Sequence, residues 1–178
     1  MPARNSVQWR SEPLAPQGGF MIIEALIAIL IFSLGILGMI AMGGTAIGAQ
    51  SDARYRTDAS RLTENLASRI AIGVPRTADP KDLADSLSKY AHQSDGTVCG
   101  AFSGTASTDS LITSWVIEAQ TVGAGLPGLP GVTDESMQVR IDNTVTGFNR
   151  VEITVCWRDP TTAATAAMRR HTLVTYVN

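Results

Sequence analysis

The sequence has few of the residues that build metal sites and catalytic centres. Among its 178 residues there are two cysteines and two histidines, and aromatic residues make up 6% of the chain. Cys-x-x-Cys and His-Glu-x-x-His spacings are absent, as are the glycine-rich loops that hold phosphates or dinucleotides. The sequence therefore predicts no metal ion, no cofactor and no catalytic residue.

Charged residues are also few, at 17% of the chain, and one long interval contains none. The formal net charge is −2, which gives no general attraction to nucleic acid. After Glu24 no Asp, Glu, Lys, Arg or His occurs before Asp52, and Leu, Ile, Ala and Met dominate the interval. Because about 20 apolar residues suffice to cross a bilayer as a helix, residues 25–50 are predicted to span a membrane.

Glu24 is a lone acid at the head of this apolar segment. A carboxylate at membrane depth is costly and marks a functional position by default. The alternative is an ordinary acid near a helix start, where it interacts favourably with the helix dipole. Arginines lie on both sides of the apolar segment, so the charges do not decide its orientation.

The helix is predicted to continue beyond the apolar segment as an amphipathic one. Apolar residues recur there at steps of three and four, while the charged residues lie mostly off that stripe. The stripe consists of Tyr55, Ala59, Leu62, Leu66 and Ile70. Gly73 and Pro75 are typical helix-ending residues.

The remainder of the chain predicts two short helices followed by strands. The helices are expected at Lys81–Ala91 and Asp109–Val122, and Leu126–Gly131 is expected to be a break because of its prolines and glycines. Apolar residues then alternate with polar ones in three stretches, which predicts three half-buried antiparallel strands. These stretches contain Met137–Ile141, Val151–Trp157 and Leu173–Val177. The fold class is therefore α+β: a long N-terminal helix packed on a small antiparallel β-sheet.

Two groups of polar residues are interpreted as ordinary surface. Mixed charges near the strands are predicted to form a solvated face; they are Arg150, Glu152, Arg158, Arg169 and Arg170. His92 and His171 are predicted to be exposed polar side chains, since two histidines and many serines do not make a catalytic triad without geometry.

Cys99 and Cys156 have two possible states. If the C-terminal part is exported, an oxidising compartment favours a disulfide between them. The alternative is two buried, unpaired thiols.

A family resemblance rests on the stretch Gly18-Gly19-Phe20-Met21-Ile22-Ile23-Glu24-Ala25-Leu26-Ile27-Ala28. It closely resembles the processing motif of type IV prepilins, in which a glycine precedes the cut, an aromatic residue follows it, and an acid stands near the head of a hydrophobic helix. The resemblance covers Gly18 to about Gln50. More loosely, four downstream features resemble PilV-type minor pilins: Ile29–Gly38, the helix with Trp115, the break at Leu126-Pro127-Gly128, and Val151–Asp159 with its Cys156-Trp157. No proline occurs from Phe20 to Val74, unlike in many major pilins, which fits a minor pilin or a pseudopilin better.

The resemblance implies roles for three residues. The leader would be cut between Gly19 and Phe20, Phe20 would be N-methylated, and Glu24 would meet the new amino group of a neighbouring subunit during assembly. The implied organisation is a leader at residues 1–19, a transmembrane and assembly helix at 20–50, its amphipathic continuation at 51–72, and an exported globular domain at 73–178.

The resemblance also implies location and partners. The chain would sit in the inner membrane with a single span and a periplasmic C-terminal domain, and would later reach the pilus or cell surface. Expected partners are a prepilin peptidase, other minor and major pilins, the inner-membrane assembly platform and the membrane. Nucleic acid and small molecules are not expected partners.

Three alternatives remain open at the sequence level. The processing motif does not separate a pilin from a minor pseudopilin of a type II secretion system. A membrane-anchored exported enzyme would need catalytic residues that the sequence does not reveal. An ordinary cleaved signal peptide conflicts with Glu24 and with the length of the apolar segment, because hydrophobic regions of signal peptides run about 7–15 residues.

Overall fold

The structure is a computed structural model that describes residues 20–75, 80–123, 126–145, 148–160, 163 and 165–177. The predicted leader, including Gly19, lies outside the described residues. The chain divides between Ala46 and Ile47 into two compact units, which are considered separately below.

The predicted long helix is present as α1 (Phe20–Gly73, 54 residues). Val74 is buried and Pro75, whose ring cannot continue a helix, follows it. Glycine at position 73 also meets a packing requirement, because a Cβ atom there would lie 2.8 Å from the buried Tyr90 hydroxyl.

Within the second unit, α1 buries the apolar stripe that the sequence predicts. Four of its residues are at most 1% exposed: Ala59, Leu62, Leu66 and Ile70. Tyr55 is partly buried against the same core. Burial of this stripe, rather than helix propensity, is what fixes the C-terminal part of α1 on the domain.

Two short helices follow, as predicted, with slightly different bounds. Helix α2 is Pro80–Ser88, and Leu83, Leu87 and the following Tyr90 are buried. Helix α3 is Ser110–Gln120, capped by the Asp109 carboxylate, which accepts a hydrogen bond from the Leu111 amide at 2.9 Å. The Trp115 indole of α3 donates to the Leu62 carbonyl of α1 at 3.1 Å and so ties the two helices together.

Part of the segment Leu126–Gly131, predicted to be a loop, forms a short strand. Strands β1 (Val122–Gly123) and β2 (Leu126–Pro127) pair antiparallel to form a minimal two-stranded sheet. Periodicity does not reveal pairs this short, because a two-residue strand has no measurable period.

The main sheet has three antiparallel strands in the order β3 (Met137–Val145), β4 (Phe148–Trp157) and β5 (Arg169–Val177), which confirms the predicted α+β class. A short 3-10 helix, Asp134–Ser136, precedes β3. The predicted inward residues of β3 and β4 join one core with α1, α2 and α3, and all are buried except Ile141, which is partly buried against that core.

Strand β4 differs from the prediction because both of its faces are covered near its end. Thr154 and Cys156, expected to face solvent, are 3% and 0% exposed. Gln138, beside Thr154 on the same face, donates to the carbonyls of Gln93 and Asp95. The segment that follows α2 therefore lies over this part of the sheet.

The charged residues predicted to form one solvated face near the strands do not all lie on the same side of the sheet. Arg150 and Glu152 form an ion pair on β4 with 2.7 Å between Nη2 and Oε2. Arg169 and Arg170 are consecutive strand residues and so point to opposite faces of the sheet. Arg169 Nε lies 3.5 Å from Asp52 Oδ1, which links the start of β5 to α1.

Candidate functional site

The first unit of the chain presents an apolar helical surface. The large apolar side chains from Met21 to Met42 are all at least 41% exposed, and Met39 reaches 78%. The most apolar 18-residue stretch of α1 has a mean hydropathy of 2.7. By length and composition this helix could cross a membrane. Exposed apolar surfaces of this size are typical of membrane or protein interaction sites.

Glu24 stands exposed on this surface. The helix is described from Phe20 onward, so Glu24 follows its first turn, and that turn contains no acidic residue. All residues from Phe20 to Ala28 other than Glu24 are uncharged. Side chains three and four positions away are its neighbours on the helix, and Ile27 and Ala28 cannot pair with a carboxylate. A counter-charge for Glu24 must therefore come from outside its own stretch of helix.

The cleavage and methylation roles predicted for Gly19 and Phe20 are not tested by the structure. Gly19 lies outside the described residues. Phe20 is the first described residue of α1, and only its backbone is described. Cleavage at the Gly19–Phe20 bond and N-methylation of Phe20 stay predictions.

The predicted disulfide is present. Cys99 and Cys156 are bonded, with 5.7 Å between their Cα atoms and a sequence separation of 57. Cys156 is fully buried on β4, while Cys99 belongs to the segment between α2 and α3. The bond holds that segment on the outer face of β4, and the alternative of two unpaired thiols is excluded.

The prediction that both histidines are exposed is wrong. His171 is half-buried on β5 opposite Val155, and its Nε2 atom is shielded from solvent. His92 is 2% exposed, and its backbone forms two hydrogen bonds with Val139 of β3. Sequence reasoning missed the burial of His92 because its partners are distant along the chain.

Both ring nitrogens of His92 face polar groups. Nδ1 accepts a hydrogen bond from the Ser107 amide at 3.2 Å, and Nε2 lies 3.4 Å from Asp134 Oδ1. Asp134 Oδ2 in turn accepts a hydrogen bond from the Gln93 side chain at 2.6 Å. Burial lowers the pKa of His92 from 6.5, and the negative charge of Asp134 partly opposes this.

The residue types Ser107, His92 and Asp134 match a hydrolytic triad, but their geometry does not. The Ser107 group that meets the imidazole is its backbone amide, whereas its hydroxyl donates to the Lys89 carbonyl at 2.6 Å. A nucleophilic serine must instead give its hydroxyl proton to the histidine. The Nε2 atom of His92 is buried without a hydrogen-bond partner among the described residues, so this cluster does not have the linkage of a hydrolytic triad.

Other potential chemistry is sparse in the described part of the chain. No group of three or more His, Cys, Asp and Glu residues among those residues could hold a metal ion. A polar groove of about 500 Å³ runs between the end of α2 and the segment Thr105–Asp109. Lys89 and Asp109 line it, with 3.9 Å between Nζ and Oδ2.

Comparison with known proteins adds no relative. No protein-family model, no curated protein and no solved structure matches this chain at a significant level.

Proposed function

We propose that this chain is a minor type IV pilin of the PilV kind, which takes part in pilus assembly or modification. The observation that carries the proposal is Glu24, an exposed acid after the first turn of an exposed apolar helix without another charge until Asp52. The preceding Gly19-Phe20 pair supplies the residue types that a prepilin peptidase would cut.

In this proposal the charge partner of Glu24 is the α-amino group of Phe20 in a neighbouring subunit. Cleavage after Gly19 creates that positive charge at the end of a helix. The pair of opposite charges selects one axial register between adjacent helices. The helix-dipole alternative is weakened by the position of Glu24, since dipole effects fall off within the first turn.

The apolar surface of α1 has two uses in the proposal. Before assembly it is a single span in the inner membrane, with the second unit in the periplasm. After assembly it packs against other minor and major pilins, following extraction by the inner-membrane assembly platform. The Cys99–Cys156 disulfide supports an oxidising location for the second unit.

A minor pseudopilin of a type II secretion system is the second candidate. The lack of proline between Phe20 and Val74 fits both kinds of protein. Deletion of the gene separates them: loss or alteration of surface pili supports the pilin, whereas loss of protein secretion with intact pili supports the pseudopilin. Catalysis has no part in either role.

Replacing Gly19 with leucine tests the cleavage step. A bulky residue before the cut should prevent the peptidase from positioning the bond, so most of the protein should remain at precursor size on immunoblots. The matched control is Gly38→Ala, since a Cβ atom at position 38 meets nothing within 4 Å. Mature-size protein persisting in Gly19→Leu would refute the proposed cut.

A further inference from the structure

The first part of the segment between α2 and α3 is anchored on the sheet by the disulfide, by the backbone pair of His92 with Val139, and by hydrogen bonds from Gln138. Residues 104–109 are hydrogen-bonded in turn to this first part. Within them, Thr105 accepts from the Gln93 amide at 3.1 Å and the Ser107 hydroxyl donates to Lys89. The Ser107 hydroxyl also accepts from the Asp109 amide at 3.3 Å, and the Ser107 amide donates to His92 Nδ1. The same segment carries Asp109, the N-cap of α3.

We propose that His92 is an acid-sensitive latch that holds residues 104–109 at neutral pH and releases them when the imidazole takes up a proton. This inference does not rest on the proposed function. It rests on the positions of the two ring nitrogens within a side chain that is 2% exposed.

The latch follows from the donor and acceptor character of the imidazole. A neutral histidine carries one N–H group and one acceptor nitrogen. Because the Ser107 amide donates to Nδ1, the proton of the neutral ring is on Nε2, which faces Asp134 Oδ1 at 3.4 Å. An added proton can bind only at Nδ1, and this places two N–H groups against each other. The Ser107 amide then loses its acceptor inside the protein.

The groups around His92 define how it titrates. Asp134, from the 3-10 helix, is the charged group that acts on the imidazole. On β3, Gln138 is neutral and Val139 is apolar. On the same segment as His92, Lys89 Nζ lies 3.9 Å from Asp109 Oδ2. Buried Tyr90 precedes Ala91 on the same segment.

The sign of the pH effect follows from the lowered pKa. The unfolded chain binds a proton on His92 near pH 6.5, whereas the folded chain resists it because the ring is buried. The stabilising contribution of His92 is therefore complete above pH 6.5. It is lost as the pH falls from 6.5 through the lower pKa of the folded state.

Hydrogen exchange of the full chain in detergent micelles tests the latch. Protection factors, corrected for intrinsic rates, would be followed from about pH 7.5 to about pH 4.5, a range that spans histidine titration. Peptides covering residues 104–109 should lose protection by about tenfold, as expected for one lost hydrogen bond, with a midpoint below pH 6.5. Peptides from β4 should keep theirs.

Two variants make the test specific. His92→Asn places an acceptor oxygen near the Nδ1 position and cannot be protonated, so its 104–109 segment should stay protected at every pH. Asp134→Asn removes the charge that favours the imidazolium, so the midpoint should move to lower pH. Unchanged protection in the unsubstituted chain, the same acid loss in His92→Asn, an unmoved midpoint in Asp134→Asn, or an equal loss in β4 would each overturn the latch.

Discussion

Replacing Glu24 with alanine is expected to leave leader cleavage largely intact and to remove the protein from the fibre. The cut lies before Phe20, whereas the proposed docking step pairs Glu24 with the amino group of a neighbour. Removing one partner of a buried ion pair costs about 3–5 kcal/mol because the other charge is left unpaired. Incorporation should therefore fall by about a hundredfold or more. The measurement is the amount of mature protein in sheared pili relative to the amount in the membrane fraction.

Two further variants separate charge from position. Glu24→Gln keeps the shape of the side chain without its charge and should fail like Glu24→Ala. Glu64→Ala removes an exposed glutamate from the same helix, whose carboxylate accepts a hydrogen bond from the Ser60 hydroxyl at 2.7 Å. This variant should be incorporated normally. Normal incorporation of Glu24→Ala would contradict the assembly role of this residue.

Loss of the Cys99–Cys156 bond is expected to be the most destabilising change in the second unit. The bond closes a loop with a sequence separation of 57, worth about 4 kcal/mol in the chain-entropy model. Domains are commonly stable by only about 5–15 kcal/mol, so Cys99→Ala should remove a large share of the free energy of unfolding. Chemical denaturation of the full chain in detergent, followed by tryptophan fluorescence, measures the difference.

Comparing single and double variants separates the stability contributed by the disulfide from that contributed by the cysteine side chains. Cys99→Ala, the Cys99→Ala/Cys156→Ala pair and the unsubstituted chain under reducing conditions should lose similar free energy, because each removes the same bond. Ser103→Ala, an exposed change in the same segment, should have little effect. A loss below about 1 kcal/mol on reduction, the usual size of an ordinary substitution, would show that packing and not the bond secures this segment.

Local patterns explain which parts of the fold could be predicted. The stripe from Ala59 to Ile70 has the period of a helix and β3 to β5 have the period of strands, so both signals lie within a few residues of the sequence. The acid Glu24 was found in the same way, as the only charge in a long apolar interval. The disulfide needed one further assumption, that of export.

The parts that could not be predicted depend on contacts between distant residues. His92 is buried because Ser107 and Asp134 come from other segments, and neither carries a local pattern that points to a histidine. Thr154 and Cys156 are buried because an earlier segment of the chain lies across them, held by the disulfide of sequence separation 57. Alternation along β4 describes one face of the sheet and carries no information about what covers the other.

The mature N-terminus of the protein in sheared pili is the most direct test of the account. Mass spectrometry of that terminus reports cleavage, methylation and incorporation in one spectrum. The account predicts an N-terminal peptide that begins at Phe20, carries a methyl group on its amine, and is found in the fibre fraction. A chain that begins near Gln50, as after removal of a signal peptide, or one that retains Met1 and never enters the fibre, would contradict it.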